Sequence, residues 1–225
     1  MKTIFGLLMS IYLMACAGTS ATKTPSYPDQ WWAPVDAKTA KWWEILPQSA
    51  KRENNEVILS KRNELGILSN FAHTPFTFEG KKYESVEGVW QAMKFPEGKS
   101  DQRLKKGLNW KYKRDDVAQM TAFEAKDAGG IGSKNMKKLG INYVTWNGKK
   151  MTYRTSEKGD HYQLIRSLMK AKLEHNPEVR RILMATGDLK LLPDHKVRPE
   201  DPPAWRYFDI WMELREELKH SDDQK

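Results

Sequence analysis

A single cysteine, Cys16, stands in a chain of 225 residues. That count excludes a disulfide framework, and at this length none is needed, because one sizeable core can be buried without cross-links. Histidine is sparse as well. His73, His161, His175, His195 and His220 show none of the paired spacings that hold a metal ion, so no metal site is expected. No apolar run reaches the roughly 18 residues of a membrane-spanning helix, and the mean hydropathy is −0.74. The sequence also lacks a Walker-type phosphate loop, a G-x-S-x-G elbow and any internal period. Nucleotide-driven motors, elbow-type serine hydrolases and repeat arrays are thereby excluded, and no motif calls for a cofactor.

What is abundant is charge. Lys and Arg total 38 against 29 Asp and Glu, a net +9. The basic residues are interspersed with acidic ones rather than gathered in blocks, which reads as a solvated surface, so charge gives no support to nucleic-acid binding. The start of the chain, M-K-T-I-F-G-L-L-M-S-I-Y-L-M-A-C, has one Lys, a short apolar run and then small residues, the architecture of a secretory signal over 1–15. Its end, Leu13-Met14-Ala15-Cys16, resembles the lipobox of bacterial lipoproteins. That resemblance implies cleavage before Cys16, lipidation of its sulfur and attachment to the bacterial envelope, with Ala17 favouring the outer membrane. Ala17 to Gln30, small, polar and proline-containing, then reads as a tether through residues 16–30.

From residue 31 to 220 the pattern is that of one domain, mostly α with a small β component. Asp36 can cap a short helix carrying Trp42, Trp43, Ile45 and Leu46 and ending at Pro47, a strap held to the core by its tryptophans. Glu56 to Ser60 reads as a strand. Asp115 or Asp116 opens a helix bearing Val117, Met120 and Phe123, which Gly129-Gly130 should end. Asn147-Gly148, between two β-type runs, signals a hairpin. A helix from Asp160, a second opened by Asn176-Pro177-Glu178, a proline-rich loop over 193–203 and a last helix from about Tyr207 complete the chain. Five or six helices against four short strands are expected.

The stretch Leu68 to Phe95 concentrates chemistry: L-S-N-F, a hairpin turning at Glu79-Gly80, then S-V-E-G-V-W-Q-A-M-K-F. Ser85 is a good N-cap, which places Glu87 in the first turn, at the positive end of the helix. Trp90, Gln91 and Lys94 follow at i+3, i+4 and i+7, so one face carries acid, indole, amide and cation. Val86, Val89 and Met93 form the neighbouring core stripe. Such a polar face on a buried helix requires partners for every group, which a ligand site supplies and a plain core does not.

These segments, with A-K-L-E-H-N-P-E-V-R-R-I-L-M-A-T-G later in the chain, resemble the NADAR (YbiA-like) superfamily. Its helix has the form S-E-x-x-x-Q-A-x-K-F, matched by Glu87, Gln91, Ala92, Lys94 and Phe95, and the resemblance runs from about Val57 to Leu218. It implies a YbiA-like multihelical domain with short hairpins that hydrolyses N-glycosidic bonds in a ribosylated base or an ADP-ribose conjugate, a small-molecule ribosyl or ADP-ribosyl partner. Glu87 would be the central carboxylate. Asp201 is the nearest match to the family's second acid, with Asp194 as fallback, and Trp146 is the nearest match to its stacking tryptophan, with Trp110 and Tyr153 behind it. Ser69, Asn70, Phe71, Trp90, Gln91, Lys94 and Trp205 would bind substrate. The chain departs from the pattern in lacking the glycine-rich loop after the second acid, in having only Gly132-Ser133-Lys134 where a Gly-Arg-x-Arg segment is usual, and in placing Gly88 where the family has His. The first two departures fall where a phosphate would be expected to bind, which implies a substrate that is dephosphorylated or of a different kind. A non-catalytic nucleotide- or envelope-binding lipoprotein that keeps this fold is the alternative, and no motif addresses the oligomeric state.

Overall fold

The computed structural model describes residues 26–104 and 107–222. The leader, Cys16 and most of the tether lie outside the described residues. At the centre is helix α1 (Val86–Ala92), all seven of whose residues are buried. Its start is fixed locally: the Ser85 Oγ accepts the Gly88 N–H at 3.0 Å and donates to the Met120 carbonyl at 2.9 Å. Helices α2 (Arg114–Ala118), α3 (Ala122–Lys138) and α4 (Asp160–His175) pack around it, and α5 (Pro177–Ala185) and α6 (Tyr207–Asp222) pack against α4.

Three two-stranded sheets complete the fold, which is mostly α with a small β component. Strand β1 (Glu56–Ile58) pairs in parallel with β6 (Lys190–Leu192), while β2 (Phe76–Phe78) with β3 (Lys81–Tyr83) and β4 (Tyr143–Trp146) with β5 (Lys149–Thr152) form antiparallel hairpins. Both hairpins turn on a left-handed pair, Glu79-Gly80 at φ 48° and 76° and Asn147-Gly148 at φ 48° and 77°. These are the dihedrals that match the twist of the flanking strands.

The structure corrects several expectations. Asp36 caps only a three-residue 3-10 turn, Ala37–Thr39, and the strap beyond it is not a helix. Trp31, rather than the Trp42–Trp43 pair, is its fully buried anchor, with its Nε1 on the Glu64 carboxylate at 2.7 Å. The segment after Arg114 breaks at 119–121 into two helices, because the Met120 carbonyl turns aside to the cap of α1. Helix α3 then runs straight through Gly129-Gly130, where a stop was expected. A Cβ on Gly129 would lie 1.6 Å from the Gln91 Oε1, and one on Gly132 would lie 2.9 Å from the Lys94 Cβ, so these glycines serve close approach to α1. Asn176 precedes α5 without capping it; its amide donates instead to the carbonyls of Pro75 (3.0 Å) and Lys172 (2.8 Å). Strand β6 was not expected, since its partner β1 is remote in sequence.

Candidate functional site

A cavity of about 560 Å³ opens on one side of α1. Glu87, Trp90, Gln91 and Lys94 line it, as their shared helix face requires. The Gln91 Nε2 donates to the Glu87 Oε1 at 2.7 Å, and the Lys94 Nζ donates to the Gln91 Oε1 at 2.6 Å. The amide is thereby locked in one orientation between an acid and a cation. Burial raises the Glu87 carboxyl above the ordinary glutamate range, opposed by the Gln91 hydrogen bond and by Lys94, Lys126 and Lys61. Burial also lowers Lys94, against the pull of Tyr153 and Glu87. A carboxylate that is desolvated yet held by one neutral donor keeps a lone pair for a reacting group.

The L-S-N-F loop closes the cavity beside the start of α1. The Asn70 carbonyl accepts the Glu87 N–H at 3.0 Å, and the Ser69 Oγ accepts the Phe71 N–H at 3.2 Å. Behind the loop, the Lys172 Nζ donates to the carbonyls of Ile67 (2.7 Å) and Ser69 (2.8 Å), while the Trp211 Nε1 donates to that of Leu68 (2.6 Å). Three successive carbonyls are thus anchored from the core. On the other flank the Ala122 N–H donates to the Phe71 carbonyl at 3.2 Å, from a residue held at φ 49°, a strained value for alanine. Ser69, Asn70 and Phe71 all line the cavity, and the Asn70 Oδ1 is buried without a protein partner.

Trp205 joins them. Its ring lies 6.4 Å from that of Tyr153, the Arg154 guanidinium is 5.7 Å from it, and its Nε1 is likewise buried and unpartnered. Two expected residues are not brought to the cavity. Asp201 folds back on its own turn, accepting from the Arg198 N–H at 2.9 Å and from the Arg198 guanidinium at 2.9 and 3.2 Å. Pro202-Pro203 directs the chain away before Trp205 returns. Trp146 sits in a separate cleft at the far end of α1, its Nε1 on the Glu79 Oε2 at 3.0 Å. Its place at the cavity is taken by Tyr153, whose phenol is pushed up by burial but held below its ordinary value by Lys94 and Arg154. The fallback acid Asp194 is buried just behind the wall, paired with Lys61 and, at 3.0 Å, with the His195 Nδ1; both of those side chains line the cavity. Gly88 does not widen the site. It faces α2, where a Cβ would meet the Met120 carbonyl at 2.3 Å.

Sequence reasoning missed most of the cations. Lys61, Lys126, Arg154 and Lys196 line the cavity with Lys94. Among the described residues Lys126, Arg154 and Lys196 form no salt bridge, and Glu87 is the one carboxylate lining the cavity. The available signal was slight: Lys126 stands three residues after Phe123, on the same helical face. The surroundings therefore favour a ligand that bears negative charge and flat rings.

No family model matches the chain. In sequence it is similar to the N-glycosidase YbiA of Escherichia coli (strain K12), with 27% identity over 169 residues, 71% of this chain and 85% of that protein. The N-glycosidase YbiA of Shigella boydii serotype 4 (strain Sb227) matches with the same identity and coverage. The NMR structure of the E. coli protein YbiA covers 82% of this chain and 94% of its own, at 21% identity and a TM-score of 0.49. Over most of its length, then, this chain is similar in sequence to N-glycosidases of the YbiA type.

Proposed function

We propose that the chain is a hydrolase that cleaves an N-glycosidic bond in a ribosylated base or an ADP-ribose conjugate, with Glu87 as the reacting carboxylate. The observation that carries this reading is a buried carboxylate held by Gln91, which Lys94 holds in turn, in a cavity whose other charged liners are cations. The similarity to YbiA N-glycosidases supplies the reaction class.

As the C1′–N bond breaks, its electron pair leaves on the base nitrogen and positive charge builds on the ribose. A carboxylate beside C1′ stabilises that charge. Glu87, made more basic by burial, takes a proton from the water whose oxygen bonds to C1′. The base nitrogen gains a proton in turn, so the sum is addition of water across the bond. Trp90, Tyr153 and Trp205 offer flat faces to the leaving base, and the unpaired cations offer charge-assisted hydrogen bonds to phosphate oxygens. Release of free base or ribose from a panel of ribosyl compounds tests the reading. Wild-type protein that turns over none of them sinks it, and Glu87→Gln should bind without turnover.

That Glu87 stands alone as a carboxylate among the described cavity residues favours one second reading, a module that holds a ribosyl phosphate without cleaving it. The envelope location is part of the same proposal. A tether lipidated at Cys16 predicts palmitate labelling that Cys16→Ser abolishes.

A further inference from the structure

The strap ahead of β1 reaches the cavity mouth. It is pinned on both sides of Trp42-Trp43. The Arg62 guanidinium bonds the Glu44 carboxylate at 2.7 and 2.8 Å and the Thr39 carbonyl at 2.9 Å, and the Ile45 N–H donates to the Asp194 carbonyl at 2.7 Å. The exposure of Trp42, 95% open while lining the cavity rim, is therefore built into a fixed backbone and is not a fraying end. Beside it the Trp43 ring lies 5.8 Å from Phe123, which meets Phe71 edge-on at 5.3 Å. The Lys61 amine stands 5.6 Å from the Trp43 centroid and 5.3 Å from Phe71, and the Lys126 amine stands 5.6 Å from Phe71. A row of aromatic faces interleaved with cations, continuous with the chamber that holds Glu87, has the chemistry that recognises a flat ring on an anionic tether.

We propose that Trp42, Trp43, Phe71 and Phe123, with Lys61 and Lys126, form a second subsite that stacks an aromatic base joined through phosphates to the ribosyl group held at Glu87. This rests on the hydrolase reading for the position of the ribosyl group, and it makes the substrate a two-ended nucleotide rather than a lone ribosylated base. The strap thus acts as a specificity element added to the cavity.

Titration calorimetry on the full-length protein, with ribose 5-phosphate and ADP-ribose as probes, tests it. Stacking of one base is worth about tenfold or more in affinity, so wild type should favour ADP-ribose by about that factor. Trp42→Ala, which unpacks nothing, should shrink the preference, and adding Trp43→Ala should erase it, with ribose 5-phosphate affinity unchanged. The proposal is overturned if the two probes bind alike, if neither binds, or if the preference survives both substitutions. It is also overturned if Trp42 responds to phosphatidylglycerol vesicles while ADP-ribose shows no preference, which would assign the ledge to a lipid surface. Because binding is read at equilibrium and on Glu87→Gln as well, a preserved preference without turnover fails the hydrolase reading alone.

Discussion

Two concavities flank α1, and both contain acid, cation and tryptophan. In the cleft at its C-terminal end, about 360 Å³, the buried polar groups answer one another, while the exposed Lys81 and Asp115 form no ion pair among the described residues. Glu79 accepts from the Trp146 indole at 3.0 Å and from the Asn147 amide at 2.7 Å, Glu97 accepts from the Gly148 N–H at 3.1 Å, and Arg114 bonds the carbonyls of Ala92, Phe95 and Thr145. That cleft is a clasp between two hairpins and a helix end. In the larger cavity, by contrast, Lys126, Arg154 and Lys196 lack ion pairs among the described residues, and the Asn70 Oδ1 and Trp205 Nε1 lack partners. Residue types and exposed unpaired charges do not separate a site from a clasp here; unanswered buried polar groups do.

The largest expected effect breaks this contrast at its two acids. Glu87→Gln should lower turnover about a hundredfold or more, the range of a lost proton-transfer group. Glu79→Gln should leave turnover unchanged and cost under about 1 kcal/mol, since the amide oxygen still accepts. The stability effect has the opposite order. The folded-state pKa of Glu87 is raised, so the folded protein binds more protons than the unfolded chain between the unfolded and folded values, and stability falls as pH rises through that interval. Above the folded value the cost of the buried charge is fully present, and there Glu87→Gln should raise the melting temperature while it removes activity. An unchanged or lowered melting temperature would show that the carboxylate is better solvated than its burial implies.

Next in size is the packing that holds the cavity face in place. Gly88→Ala drives a Cβ to 2.3 Å from the Met120 carbonyl, which is backbone and cannot swing aside, and should cost about 3 kcal/mol in urea unfolding. Gly129→Ala meets the Gln91 side chain from its Oε1 at 1.6 Å back to its Cγ at 2.8 Å. It should cost less stability than Gly88→Ala, because a side chain can turn where backbone cannot, yet it displaces the donor that steadies Glu87. The acid limb of the rate profile should then move to higher pH, because that donor lowers the Glu87 pKa.

These particulars also explain what could be read in advance. Ser85, Glu87, Gln91 and Lys94 were legible because a cap and helical spacing are local facts, and the Asn147-Gly148 turn was legible for the same reason. Gly129 was misread as a helix end because its role is set by Gln91 on another helix. Trp146, expected at the site as the nearest match to the family's tryptophan, lies in the other cleft, since nothing local says which end of α1 its hairpin faces. Lys61, Lys126 and Arg154 come from separate elements that meet only in space, so no spacing announces them. Asp201 and Trp205 were both expected at the site from the family resemblance, and the Arg198 turn divides them.

The last comparison comes from behind the loop. Lys172 is fully buried, and burial lowers its amine from 10.5 to about 7, although it donates to the Ile67 and Ser69 carbonyls. No charged side chain contributes to that shift. Between about 7 and 10.5 the unfolded chain keeps a proton that the folded protein has released, so stability should rise with pH across that window, by at most about 1.4 kcal/mol per pH unit. Below the window the folded state bears the cost of burying the ammonium. Lys172→Met should remove the slope, and it should also leave the carbonyls of Ile67 and Ser69 at the start of the L-S-N-F loop without that donor, so that ligand affinity in the cavity falls while the clasp around Trp146 is untouched. Urea melts at a series of pH values, read beside ribose 5-phosphate binding, check both; a slope that persists in the variant would assign the pH response to another group.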